Sequence, residues 1–237
     1  MTDEVRDFFE KQQINDQYDS LKAMTRDLDL AAASMLNSAM KGDILSIGGI
    51  WDHYESNTAT KSLTVVDLSP LMLNAYCPEG AKGIVGDFFE LSLDKNSYDI
   101  LVFPLMLHHT PKGTWRQSQN RVTEALELAS ELIRPGGELF ILEYCPQKFW
   151  MPFQKILYPV TRIFLKIFSQ PLVAMYPERF YEHEIIRQFG NCKIKRISTD
   201  DQNDRRWYPV FMSIRWLKIP FRWYPKLTLI SSTSRIS

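Results

Sequence analysis

Five short apolar runs constrain this chain most: DILSIGG (43–49), LTVVD (63–67), GIVGD (83–87), DILVF (99–103) and GELFILEY (137–144). Each has the length of a strand and is rich in Val, Ile and Leu. A strand that is apolar throughout must be covered on both faces, which is the condition of a parallel sheet held between helices. One cover is legible between the last two runs. Val122, Ala125, Leu126, Ala129 and Leu132 repeat at helical spacing within 116–133, and Arg134-Pro135-Gly136-Gly137 stops that helix. The earlier connections are short, so their crossover helices are expected to be brief. The fold class expected is α/β.

Around this core, residues 3–40 read as helices with a break near Asp27–Asp29. Residues 146–170 read as a helical insert in which Pro152 and Pro159 start or kink turns. YEHEIIRQFG (181–190) is a short helix ended by Gly190. CKIKRIS (192–198) and VFMSIRWL (210–217) close the chain as two more strands, with a hairpin at the sheet edge as one arrangement. The expected organisation is a single domain over 1–237: a helical cap (1–40), a cofactor-binding core (41–145), a helical lid insert (146–180), and a C-terminal helix with edge strands (181–237).

The formal net charge is zero, so nothing global draws the chain to nucleic acid. Its distribution is uneven. Residues 146–176 hold four Lys or Arg and no carboxylate, and residues 205–237 hold seven and none, both amid Trp, Tyr and Phe. Cys77, Cys145 and Cys192 are too few and too scattered for a disulfide framework or a zinc site, and suit a reducing compartment. The acidic, amphipathic start has no apolar signal region, and Lys, Arg and Pro interrupt every candidate span. The location expected is cytoplasmic, with weak contact at a membrane surface as a further reading.

In an open parallel sheet, ligands bind beyond the carboxyl ends of the strands. Four places qualify: Gly48-Gly49-Ile50, Asp67-Leu68-Ser69, Asp87-Phe88, and Phe103 to His109. A glycine after the first strand lets the backbone approach a ligand. Asp67, 19 positions after Gly48, stands where a carboxylate accepts both hydroxyls of a ribose. Asp87, 20 residues later, can take an adenine amino group, and an exposed Phe88 beside it suits one face of a purine. The bland alternatives are a tight turn at the glycines, a helix N-cap at Asp67 or at Ser69 before Pro70, and a plain strand end at Asp87.

These stretches, in this order, resemble the class I S-adenosylmethionine-dependent methyltransferases of the small-molecule type over roughly residues 40–200. ILSIGG matches the first motif, LTVVDLSPLMLNAY the second, GIVGDFFELSLDKNSYDILVFPLMLHHT the third and fourth, and IRPGGELFILE the fifth-strand motif. The resemblance implies a Rossmann-like, seven-stranded, mostly parallel sheet with an antiparallel last strand. It implies S-adenosyl-L-methionine lying across Gly48, Gly49, Asp67, Leu68, Asp87, Phe88 and Phe103, with Tyr18 closing the cleft from the N-terminal helix. The first motif departs from the family pattern. Ser46 stands at the usually acidic position, Ile50 replaces the second spaced glycine and Asp52 the third, and the bulk of Ile50 and Trp51 is expected to narrow the cofactor's amino-acid end.

His108 and His109 follow the fourth strand, where the methyl acceptor should lie. His108 reads chiefly as a loop-packing residue. His109 is the candidate base for a hydroxyl acceptor, because an imidazole of ordinary pKa can take a proton at neutral pH. In the insert, Phe153, Ile156, Leu157, Val160, Phe164, Ile167 and Phe168 form one stripe, with Lys155, Arg162 and Lys166 off it. It reads first as a lid helix packing its stripe on the domain, then as a wall for an apolar acceptor, then as a helix resting on anionic lipid with the Arg215, Lys218, Arg222 and Lys226 tail assisting. No His/Asp/Glu cluster has metal-ligand spacing. The function expected is methyl transfer to a small, hydrophobic or lipid-like acceptor, on oxygen or carbon. The rivals are a non-catalytic S-adenosylmethionine-fold partner or sensor and, ranked lower, a nucleic-acid methyltransferase.

Overall fold

The computed structural model describes residues 3–14, 25–167, 171–197, 207–211, 214–220 and 225–235. Seven strands form the main sheet: β1 (Gly42–Ile47), β2 (Thr60–Asp67), β3 (Lys82–Val85), β4 (Tyr98–Pro104), β5 (Ile133–Cys145), β6 (Lys193–Arg196) and β9 (Lys226–Thr233). Their order is β3-β2-β1-β4-β5-β9-β6. β1 to β5 run parallel and β9 runs antiparallel between β5 and β6. This is the Rossmann-like sheet expected, with its last strand reversed.

The inner strands are apolar on both sides because both sides are covered. Leu45, Ile47, Leu101, Phe103, Leu139 and Ile141 face one core layer; Ile44, Ile100, Val102, Phe140 and Leu142 face the other. Helix α4 (Trp115–Leu132) lies on the first layer. Thr114 and Gln117 close a capping box at its start, and Val122, Ala125, Leu126 and Ala129 are fully buried. Helix α6 (Glu178–Phe189), ended by Gly190 in the left-handed region, adds Tyr181, Ile185 and Phe189 to the same layer. Helix α2 (Arg26–Ala39) covers the opposite layer through Leu28, Ala32, Ala33 and Leu36.

Four expectations are corrected. First, the connection from β1 to β2 contains no helix. Trp51 is buried instead, its Nε1 donating to Asn37 Oδ1 at 2.8 Å, so α2 supplies the cover that a crossover helix would give. Second, β5 begins at Ile133, and the 134–137 turn is a break in register between the Tyr98↔Ile133 and Ile100↔Glu138 pairs. Third, the reversed strand is β9, whereas 210–217 falls in a separate hairpin of β7 (Trp207–Phe211) and β8 (Ile214–Pro220). Lys226 is therefore a sheet residue, half-buried, with its pKa lowered by burial and by Arg196, and belongs to no basic tail. Fourth, helix α5 (Trp150–Ile167) turns its apolar stripe outward.

Candidate cofactor and acceptor site

A cleft of about 630 Å³ opens beyond the carboxyl ends of β1 and β2. Its lining includes Gly48, Gly49, Trp51, Asp67, Met72 and Tyr76. Gly48 and Gly49 both take positive φ, at 85° and 88°. A side chain on Gly48 would overlap Met106, and one on Gly49 would stand 3.4 Å from Asp67 Oδ2. Gly49 thus leaves the space beside the Asp67 carboxylate clear, and Gly48 lets the backbone pass close to Met106. The neighbouring Ser46, fully buried, donates its hydroxyl to the Gly49 carbonyl at 2.5 Å and holds the loop in this shape.

Asp67 ends β2 and is largely enclosed. Its Oδ1 accepts the Ser69 N–H at 2.8 Å, and the Leu68 N–H also stabilises it. No cation pairs with it among the described residues. Burial outweighs the two backbone donors and lifts the carboxyl from 3.8 to about 6. Ser69 is the N-cap of α3 (Pro70–Tyr76), accepting from Met72 N at 3.2 Å, and its hydroxyl donates to Glu10 Oε1 at 3.0 Å. Glu10 lies on α1 (Asp3–Ile14) one residue after Phe9, whose ring meets His109 edge-on at 5.2 Å. Helix α1 thus touches both the Asp67 turn and the histidine turn, and roofs the carboxyl edge of the sheet.

The structure brings Gly48, Gly49 and Asp67 together, and sets the other candidates apart from that cleft. Phe88 is buried against Phe103 at 5.7 Å, and Phe103 is itself fully buried. The exposure expected of Phe88 is therefore corrected: both rings are buried in the core. Phe89 instead lies under the Arg121 guanidinium, 3.4 Å from its ring centre. Arg121 also stands 3.9 Å from Asp87, whose Oδ1 accepts the Phe89 N–H at 3.1 Å. Tyr18 falls outside the described residues. Trp51 packs with Tyr54 on the α2 side, and Ile50 packs against the same core layer.

His108 and His109 occupy a single 3₁₀ turn, Leu107–His109. His108 Nδ1 lies 2.7 Å from Glu143 Oε2, and Glu143 Oε1 accepts the Leu107 and His108 N–H groups at 2.7 and 3.3 Å. Glu143 is fully buried on β5. His109 Nδ1 is buried with no hydrogen-bond partner among the described residues. Burial, and secondarily the neighbouring His108, push its pKa well below the ordinary 6.5. The ordinary imidazole pKa expected there is corrected: His109 is neutral at pH 7 and a weak proton acceptor. Sequence reading missed Glu143, Glu10, Phe9 and Met106. Only Glu143 left a signal, as one carboxylate inside the apolar run LFILEY.

Residues 46–141 match a family model described as a methyltransferase domain. No curated protein matches the chain. Among solved structures, a chain of the complex between the Haloferax volcanii Trm112 methyltransferase activator and a protein assigned as a methyltransferase aligns with a TM-score of 0.63 at 15% identity, covering 98% of each chain. DhpI in complex with S-adenosylhomocysteine aligns at 0.61 and 11% identity, over 98% of this chain and 96% of that one. Phosphoethanolamine N-methyltransferase 2 of Haemonchus contortus aligns at 0.58 and 12% identity, over 97% of this chain and 60% of that one. The family match is confined to the central stretch 46–141, and the solved neighbours, at 11–15% identity, share the fold of this chain.

Proposed function

We propose that the cleft beside Asp67 binds S-adenosylmethionine and that the chain transfers its methyl group to a small apolar or lipid-like acceptor, on oxygen or carbon. One observation carries this reading: a largely buried carboxylate, uncompensated by any cation among the described residues, faces a cleft whose wall at Gly49 carries no side chain, on a turn of two glycines at positive φ. Such a group is costly to bury and gains most from hydroxyl donors that arrive with a ligand. The residues fit the family's cofactor on that ground.

When bound, S-adenosylmethionine supplies a methyl already activated by a sulfonium. The protein's work is then alignment and exclusion of water. Asp67 accepts the ribose hydroxyls, and the Gly48-Gly49 backbone passes along the ligand. Glu143 fixes the turn that carries His109, and α1 closes the edge over both. His109 serves in this scheme as a neutral acceptor that orients a donor on the substrate through its unpaired Nδ1. With its low pKa it suits a substrate acidic enough to need little help from a base.

The test is transfer of label from methyl-labelled S-adenosylmethionine into small molecules of a metabolite extract. Labelled product should form with wild type, and His109→Ala should lower turnover roughly tenfold or more while leaving the cofactor Kd within about twofold. Equal turnover in wild type and variant would remove His109 from the site. The second reading, a non-catalytic relative, draws on Ser46 at the acidic position and on the missing helix after Gly49. Cofactor binding without any labelled product would favour it.

A further inference from the structure

Helix α5 presents three faces. Tyr158 and Leu165 are buried, with Tyr158 packed edge-on to Trp115 and its hydroxyl 2.7 Å from Ser118 Oγ. A second face carries Phe153, Ile156, Leu157, Val160, Ile163 and Ile167, between 49% and 74% exposed. Lys155, Arg162 and Lys166 fall seven and four residues apart and are exposed along one flank of that stripe. Arg162 also donates to the Gly113 carbonyl at 3.3 Å.

An amphipathic helix of a globular domain turns its apolar stripe inward. Here the stripe faces out, over about four turns, and Phe149 extends it at 47% exposed. A contiguous apolar surface of this kind marks an interaction site. Charge selects the partner. From 146 to 176 the chain holds Lys148, Lys155, Arg162 and Lys166 and no carboxylate, so the face complements an anionic surface. Length and composition set how it is held: no helix among the described residues is long and apolar enough to cross a membrane, and Pro159 interrupts this one. A cationic, outward-apolar helix that cannot span lies in the interface plane.

We infer that α5 seats the protein on an anionic lipid bilayer, with Ile156, Val160, Ile163 and Ile167 among the upper acyl chains and Lys155 and Lys166 at phosphate level. The inner face of the same helix packs against α4 at Trp115 and Ser118, so a docked protein would hold its acceptor side near the bilayer. The inference stands independently of the methyltransferase reading, because it is measured without cofactor or turnover.

The experiment is co-sedimentation of the full chain with vesicles of phosphatidylcholine alone or mixed with phosphatidylglycerol, at low and high salt. Binding should appear with the anionic vesicles and weaken as salt rises. One basic residue near such a surface changes partitioning by roughly fivefold. Reversing two in Lys155→Glu/Lys166→Glu should therefore weaken binding at least tenfold, and Ile156→Glu/Ile163→Glu should abolish it. All four positions are exposed, and circular dichroism with thermal melting should show both variants folded as wild type. Failure of wild type to sediment with anionic vesicles at low salt would overturn the inference. So would concentration-dependent dimerisation in light scattering, lost in Ile156→Glu/Ile163→Glu, without vesicle binding; the face would then belong to a second copy of the chain.

Discussion

Asp67→Asn should melt several degrees above wild type at pH 7 and, in the same protein, bind S-adenosylmethionine roughly 10- to 100-fold more weakly. The two effects have one origin. Burial lifts the Asp67 carboxyl from 3.8 to about 6, so the native state holds a proton that the unfolded chain has released between those values. Stability falls as pH rises through that window, and above it the ionised carboxylate costs about 3 kcal/mol. The amide keeps the acceptor for the Ser69 N–H and removes the charge, recovering part of that cost. For a chain of this size, about 1 kcal/mol corresponds to roughly 2–4 °C in Tm. Below about pH 4 the two proteins should converge. Binding moves the other way, because hydroxyls donate more strongly to a carboxylate than to an amide, by roughly 1.5–3 kcal/mol. Cofactor affinity of wild type should likewise decline as pH drops below about 6. Melting curves from pH 4 to 8 check the first half; a lower Tm for the amide at pH 7 would contradict it.

Glu143→Ala should be the most damaging single change, at about 3–5 kcal/mol, the usual cost of breaking a buried pair by removing one partner. The carboxylate holds three donors at once: the Leu107 and His108 N–H groups and His108 Nδ1. Alanine leaves all three buried without it and opens space beneath the 3₁₀ turn. Glu143→Gln keeps one acceptor oxygen and should cost less. Because the turn also carries His109, turnover should fall beyond the loss of folded protein. Urea unfolding followed by fluorescence measures the stability difference. An unfolding free energy for the alanine variant within about 1 kcal/mol of wild type would mean that the turn is held by packing alone.

The parts of the fold legible in the sequence are those where burial is symmetrical. β1, β2, β4 and β5 are apolar on both faces because helices cover both, and α4 declares itself through its stripe. β9 is different. Thr228 and Ser232 are buried beside Leu227, Leu229 and Ile230, so KLTLISST shows neither a continuous apolar run nor alternation. Its neighbours come from the distant β5 and β6, and no local signal announces them. In the site, Asp67 and the glycines are legible because strand order fixes where they must lie. Phe88 and Phe89 are adjacent aromatics after a strand, and only the packing decides that the first turns into the core and the second under Arg121. For α5, periodicity revealed the stripe but not its direction, since the spacing is the same whichever side faces the protein.

Whether Asp67 and the glycine turn form a cofactor site is decided by calorimetric titration of S-adenosylmethionine and S-adenosylhomocysteine into the full chain at pH 7.5. Both ligands should bind saturably near one equivalent, at least tenfold more weakly in Asp67→Asn. Absence of heat and of any thermal shift for wild type with either ligand would contradict it.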